Sequence, residues 1–313
     1  MITDFAYLLL GFILACIGGE FFVRGSVGIA HWARISPGII GATVAAFGTS
    51  SPELSVAINS GLTNQSDIAL GDALGSNLLN VALILGITLC ISGIQSNRES
   101  IKRDFPSALL IPIITAFFAY DGVLSRIEAV LILLYFVIWL TLTVIEAKKQ
   151  RDLTDKIIGE HNIIKVLMIT LSGLAILFVS GKFIVTGAGA IAISLGIDKF
   201  IVGAIIVAIG TSTPELATTV IAKLKGHDEV GLGTILGSNI FNGGFIVSVS
   251  ALISPIVFNW NEVLITLIFG VVTILITYPY KDGFISRKKG FLLLAIYVVY
   301  IFLLWQNKGT LKI

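Results

Sequence analysis

The chain has 313 residues and a formal net charge of +2; 56% of it is hydrophobic, only 13% is charged, and the mean hydropathy is +0.97. Soluble domains carry about 25% charged residues and disordered chains are poor in apolar ones, so both classes are excluded. No basic stripe interleaves with aromatics, which argues against a nucleic-acid binder, and the composition points to an all-α integral membrane protein.

Apolar runs of about 17–25 residues predict ten transmembrane helices, at roughly 5–24, 36–62, 68–94, 105–121, 124–145, 163–185, 198–223, 229–254, 262–279 and 289–306. Met1-Ile2-Thr3-Asp4 lacks the positive region of a cleavable signal, so the first run is expected to remain as a helix. Short polar connectors such as Ser96 to Asp104 and Tyr280 to Lys289 separate the spans. The longest connector, 147–162, holds Lys148, Lys149, Arg151 and Lys156 at the midpoint of the chain. It divides the sequence into units 1–146 and 163–313. Cys16 and Cys90 read as small buried hydrophobes, and His31, His161 and His227 as loop residues.

Lys and Arg in short loops mark the cytoplasmic side. With the N-terminus outside, fifteen of them fall inside, among them Arg24, Arg34, Arg103, Lys223 and Lys289. Five fall outside: Arg126, Lys182, Lys199, Lys308 and Lys312. The expected topology in the cell membrane is therefore both termini outside and the central linker cytoplasmic.

The two units repeat each other. Residues 41–80 align without a gap on 203–242, a shift of 162, with 17 identities in 40 positions. The match includes Gly48-Thr49-Ser50-Ser51-Pro52-Glu53 on Gly210-Thr211-Ser212-Thr213-Pro214-Glu215, and Gly75-Ser76-Asn77 with Asn80 on Gly237-Ser238-Asn239 with Asn242. Five spans per repeat is odd, so the second enters from the opposite side. Such inverted repeats are typical of secondary transporters with a site near the midplane, although a channel or a membrane enzyme can also be duplicated, so the repeat alone leaves the class open.

Glu53 is the only charged residue between Arg34 and Asp67, and Glu215 the only one between Lys199 and Lys223. A charge at mid-span costs about 2.5–3.5 kcal/mol, and neither span offers a Lys or Arg to offset it. Pro52 and Pro214 remove an N–H and clash with the carbonyl one turn back, at Gly48 and Gly210, which loosen the same turn. Broken second and seventh helices are expected, with carbonyls freed around Ala46, Phe47 and Thr49 and around Ala208, Ile209 and Thr211. Hard cations take six to eight such oxygens. Ser76 with Asn80, and Ser238 with Asn242, share helix faces at i and i+4 and add more. Gly71, Gly75, Gly233 and Gly237 read as close-packing faces. Asp72, whose repeat counterpart is Thr234, and Glu20 belong either to the ion path or, as the favoured reading, to membrane-edge hydrogen bonds.

The paired Gly-Thr-Ser-x-Pro-Glu and Gly-Ser-Asn-x-x-Asn motifs, over essentially the whole chain, resemble the alpha repeats of the sodium/calcium exchanger family, within the calcium/cation antiporter superfamily. The short central linker matches its compact prokaryotic form. The resemblance implies Ca²⁺ held by Glu53 and Glu215 with the carbonyls of Thr49 and Thr211. It implies one sodium site at Ala46, Ser50, Ser76 and Glu53, and its mate at Ala208, Thr211, Ser212, Ser238 and Glu215. A middle position lies near Asn80 and Asn242, where some prokaryotic relatives carry Asp in place of Asn242. It further implies that spans one and six slide across this core.

The leading expectation is a secondary antiporter exchanging Na⁺ for Ca²⁺ by alternating access, with those two ions and the bilayer as its partners. No resident cofactor, nucleic acid or obligate protein partner is inferred. Exchange against protons, or with K⁺ co-transport, is the alternative on the same scaffold. An enzyme is not expected: an intramembrane aspartyl protease needs a Gly-x-Gly-Asp pattern, and Leu70-Gly71-Asp72 lacks its first glycine.

Overall fold

The computed structural model describes residues 2–62, 66–98, 100–153, 162–194, 208–258, 260–279 and 282–309. The first part of the expected seventh span, 198–207, lies outside these residues, as do Lys156, His161, Lys281 and Lys312.

Helices α1 (Ile2–Ala33) and α9 (Ile163–Ser194) have 32 residues each and pack along one another. At 1.5 Å per residue each is about 48 Å long, well beyond the ~30 Å hydrocarbon layer. Their contact is close because glycine lines it: a Cβ on Gly173 would stand 2.9 Å from the carbonyl oxygen of Gly18. The helix α1 overruns the expected span of 5–24, so Arg24 and His31 are helical rather than loop residues. One charged residue does not stop a helix, and apolar residues resume at Val27. The stop comes at Arg34, with φ of 57°, ahead of Ser36-Pro37. Cys16 is exposed rather than buried.

The second span is interrupted. It comprises α2 (Pro37–Ile40), a π-helical turn (Gly41–Ala45), α3 (Ala46–Thr49) and α4 (Ser51–Leu62). Ser36 starts it, accepting from the backbone N–H of Ile39 at 3.3 Å, with Pro37 in the first turn where its missing N–H costs nothing. The third span is α5 (Ser66–Leu79), a π-helical turn (Asn80–Leu85) and α6 (Gly86–Ile91). The helices α7 (Phe105–Phe118) and α8 (Arg126–Leu153) follow. The helix α8 runs eight residues past the expected end at 145, so Lys148, Lys149 and Arg151 lie on helix rather than in the linker. The second repeat gives α10 (Ala208–Thr211), α11 (Thr213–Leu224), α12 (Asp228–Ile240), a π-helical turn (Phe241–Ile246) and α13 (Val247–Ile253). It closes with α14 (Trp260–Thr277) and α15 (Arg287–Gly309). Among the described residues five helices are long and apolar enough to cross a membrane.

Two short ribbons tie the repeats together. Strand β1 (Ile94–Gln95) pairs antiparallel with β4 (Phe284–Ile285), and β2 (Val123–Leu124) with β3 (Ile256–Val257). Each ribbon joins a connector of one repeat to a connector of the other. Strands β2 and β4 follow the same turn: Gly122 at φ 83° and Gly283 at φ 76°, each after an aspartate. The Asp121 and Asp282 carboxylates accept from the backbone of Val123 and Phe284, both at 3.1 Å.

At the centre, α5 and α12 meet through a reciprocal amide pair. Asn77 donates to the Asn239 carbonyl at 3.0 Å, and Asn239 donates to the Asn77 carbonyl at 3.0 Å. Beside them Phe47, Phe136, Trp139, Phe241 and Phe245 form a continuous aromatic cluster. Trp139 also donates to buried Asp104 at 3.2 Å, which Arg103 grips through two nitrogens at 2.8 and 3.1 Å.

Candidate ion-binding site

The break in the second span falls at Ser50 (φ −86°, ψ 14°), between α3 and α4. The same break falls at Ser212 (φ −85°, ψ 9°), between α10 and α11. These dihedrals lie in the sparsely allowed bridge region. The sequence placed the break at Gly48-Pro52 and Gly210-Pro214. The break lies within that turn: each proline sits in the first turn of the helix after it, where a missing N–H is tolerated, and each glycine is the second-last residue of the short helix before it.

Nor are the carbonyls at the break bare. The Ala46 carbonyl accepts from Ser50 N at 3.0 Å and from the Thr49 hydroxyl at 3.2 Å. The Ala208 carbonyl accepts from Ser212 N at 3.0 Å and from the Thr211 hydroxyl at 3.1 Å. Hydroxyls of Ser51 and Thr213 cover Phe47 and Ile209 at 3.1 and 2.8 Å. The hydroxyl-rich motif thus stabilises the break locally, as Ser and Thr do when they bond back to the preceding turn.

The break aims side chains across the repeat interface. Ser50 donates to Glu215 Oε1 at 2.7 Å, and Ser212 donates to Glu53 Oε1 at 3.4 Å. Thr49 also reaches Glu215, and Thr211 reaches Glu53. Each carboxylate is therefore held by hydroxyls of the other repeat. Both glutamates are buried, at 1% and 0% exposure, and the Oε2 atom of each has no hydrogen-bond partner.

Other buried oxygens are similarly unsatisfied. The Ser76 hydroxyl, Asn80 Oδ1 and both polar atoms of the Asn242 side chain lack partners. Buried polar groups are normally paired, and each left unpaired costs about 1–3 kcal/mol. Five such oxygens, two from acids, form a donor set suited to a hard cation. Among the described residues no three His, Cys, Asp or Glu side chains could hold a metal together.

The expected residues Ala46, Thr49, Ser50, Glu53, Ser76, Asn80, Ala208, Ser212, Glu215, Ser238 and Asn242 are all buried; Thr211 is half-buried. The two halves are not identical. Ser238 donates to Glu215 Oε1 at 3.1 Å, whereas its counterpart Ser76 is unpaired. Asn80 donates to Asn239 Oδ1 at 3.1 Å, whereas Asn242 is free on both atoms. The π-helical turns begin at Asn80 and just before Asn242, and such turns occur often at functional sites. Two features escaped the sequence reading. Asn77 and Asn239 clamp the core, although their motif was in view. Asp72, for which the membrane edge was favoured over the ion path, lies close enough to interact with Glu53, Glu215 and Thr211.

The family described as sodium/calcium exchanger protein matches residues 3–145 and 165–306, one segment per repeat. The chain is 33% identical to the putative antiporter CaxA of Alkalimonas amylolytica, covering 98% of this chain and 100% of that protein. It is 28% identical to the sodium/calcium exchanger MaX1 of Methanosarcina acetivorans, covering 97% and 99%. Its fold is similar to that of the sodium-calcium exchanger NCX_Mj, solved after soaking with Na⁺ and Sr²⁺, with a TM-score of 0.82, 32% identity and coverage of 96% and 98%.

Proposed function

This chain belongs to the sodium/calcium exchanger protein family, and from that premise we propose that it exchanges Na⁺ for Ca²⁺ across the cell membrane by alternating access. The supporting observation is the crossed pair of buried glutamates, each steadied by the other repeat's serine and each keeping one oxygen unpaired. Ca²⁺ is held between Glu53 and Glu215, with the backbone oxygens of Thr49 and Thr211. Na⁺ ions take the flanking positions at Ala46, Ser50 and Ser76, and at Ala208, Thr211, Ser212 and Ser238. Asn80 and Asn242 line the middle.

Charge sets the coupling. Two carboxylates neutralise one Ca²⁺, so the calcium-loaded site needs no further ion. Three Na⁺ in its place would leave the site at +1, making a three-for-one exchange electrogenic. Neither ion leaves readily without the other to replace it, because an empty site exposes two glutamates to one another in a low dielectric.

The test is ⁴⁵Ca²⁺ uptake into proteoliposomes with Na⁺, K⁺ and pH gradients varied independently. Uptake that rises with internal Na⁺ and is accelerated by an inside-positive potential supports the reading. Uptake that ignores Na⁺ and follows a pH gradient assigns the chain to cation/proton exchange instead.

A further inference from the structure

Asp72 has no acidic counterpart, since Thr234 holds the matching place in the second repeat. The two positions behave differently. Thr234 is fully buried and donates to its own helix at the Val230 carbonyl, 2.8 Å away. Asp72 is half-buried, and its carboxylate lies within hydrogen-bonding reach of the Thr211 hydroxyl and near those of Glu53 and Glu215. The helix α5, which carries Asp72, packs on α10, which carries Thr211. Asp72 stands about 9 Å along α5 from its start, one turn shallower than the unpaired Ser76 hydroxyl on the same face.

Space around the two helices differs in the same sense. A Cβ on Gly71 or Gly75, next to Asp72 on α5, would meet nothing within 4 Å, and Gly71 is exposed. A Cβ on Gly233 of α12 would stand 2.6 Å from the Gly38 carbonyl, and one on Gly237 would collide with the Ala42 backbone. The site is sealed along α12 and open along α5. The three acids do not chelate one ion jointly, because among the described residues no three His, Cys, Asp or Glu side chains could hold a metal ion together. Asp72 therefore stands in the approach to the buried oxygens of Glu53 and Ser76 and is not a third ligand beside them.

We propose that Asp72 is a capture residue for the transported cation: with the Thr211 hydroxyl it holds an arriving Ca²⁺ at the mouth of the α5 opening and passes it one helical turn inward to Glu53 and Ser76. This rests on the antiport reading and on the expected topology, which puts the start of α5 outside. An acidic opening with low-dielectric walls concentrates cations and raises capture rates by about 10–10³, an effect that salt screens.

The test compares wild type, D72N and D72E in Na⁺-loaded proteoliposomes, with external ⁴⁵Ca²⁺ varied at low and high choline chloride. For D72N the half-saturating Ca²⁺ is expected to rise about tenfold, with the maximal rate within twofold of wild type. The slowing by choline chloride should flatten, and D72E should restore both properties. An unchanged half-saturation and salt response in D72N overturns the proposal, as does a loss confined to the maximal rate. If wild type shows no Na⁺-dependent uptake, the antiport reading fails. Capture is then read separately from stopped-flow Ca²⁺ association with the purified protein, where tenfold slowing in D72N supports it and equal rates refute it.

Discussion

Ser50 and Ser212 are repeat counterparts of identical chemistry, yet the structure predicts unequal effects on removing them. Ser50 donates to Glu215 at 2.7 Å between two fully buried groups. Ser212 donates to Glu53 at 3.4 Å, beyond the usual 2.5–3.0 Å for a hydroxyl hydrogen bond. A good bond to a charged group contributes about 1.5–3 kcal/mol. In Ser50→Ala Glu215 Oε1 keeps the Ser238 hydroxyl, at 3.1 Å, and Thr49 still reaches the same carboxylate. The expected loss is about 2 kcal/mol for Ser50→Ala and less than about 0.7 kcal/mol for Ser212→Ala. The assay is unfolding of purified protein in detergent without Na⁺ or Ca²⁺, where no ion masks the difference. Equal losses, or a larger one for Ser212→Ala, would refute the argument that this conformation holds its two carboxylates unequally.

The sealed and open helix faces make a second pair. Gly237→Ala drives a methyl into the Ala42 backbone and should cost about 1–3 kcal/mol, while Gly75→Ala meets open space and should be neutral or stabilising by up to about 1 kcal/mol; thermal melts of both variants decide. Arg103→Ala leaves buried Asp104 with the Trp139 N–H as its remaining side-chain donor among the described residues, a change that typically costs about 3–5 kcal/mol. The double variant Arg103→Leu/Asp104→Asn should recover much of that loss in the same melt. Asn77→Ala breaks its half of the reciprocal clamp with Asn239. It should lower the melting temperature by more than Ser26→Ala, whose buried hydroxyl has no partner to lose.

Most of the architecture was legible because the repeat preserves polar residues and prolines where apolar composition alone would not. Both glutamates, their serines and both middle asparagines stand out in that single alignment, but it groups each serine with the glutamate of its own repeat, whereas each serine donates to the glutamate of the other. Where the helices break was harder to read. Proline marks the vicinity of a break, but its φ and missing N–H suit the first turn of the helix after it, so within the expected turns the break itself falls at Ser50 and Ser212. The connecting ribbons had a signal that went unused: Asp121-Gly122-Val123-Leu124-Ser125-Arg126 recurs as Asp282-Gly283-Phe284-Ile285-Ser286-Arg287. Its shift is 161, one residue out of phase with the main alignment. The place of Asp72 could not be found from symmetry, since its importance lies in having no equivalent. Hydropathy also misjudged the ends of α1 and α8, because helices continue past the membrane boundary that hydropathy detects.

The account stands on Glu53 and Glu215 jointly holding the transported ion. Equilibrium ⁴⁵Ca²⁺ binding to purified wild type, E53Q and E215Q tests this most directly, with a thermal melt to verify that each variant is folded. We expect one Ca²⁺ bound per wild-type chain and displaced by Na⁺, and at least a hundredfold weaker binding in either folded variant, equivalent to about 2.7 kcal/mol. Near-normal Ca²⁺ affinity in either folded variant would contradict the assignment.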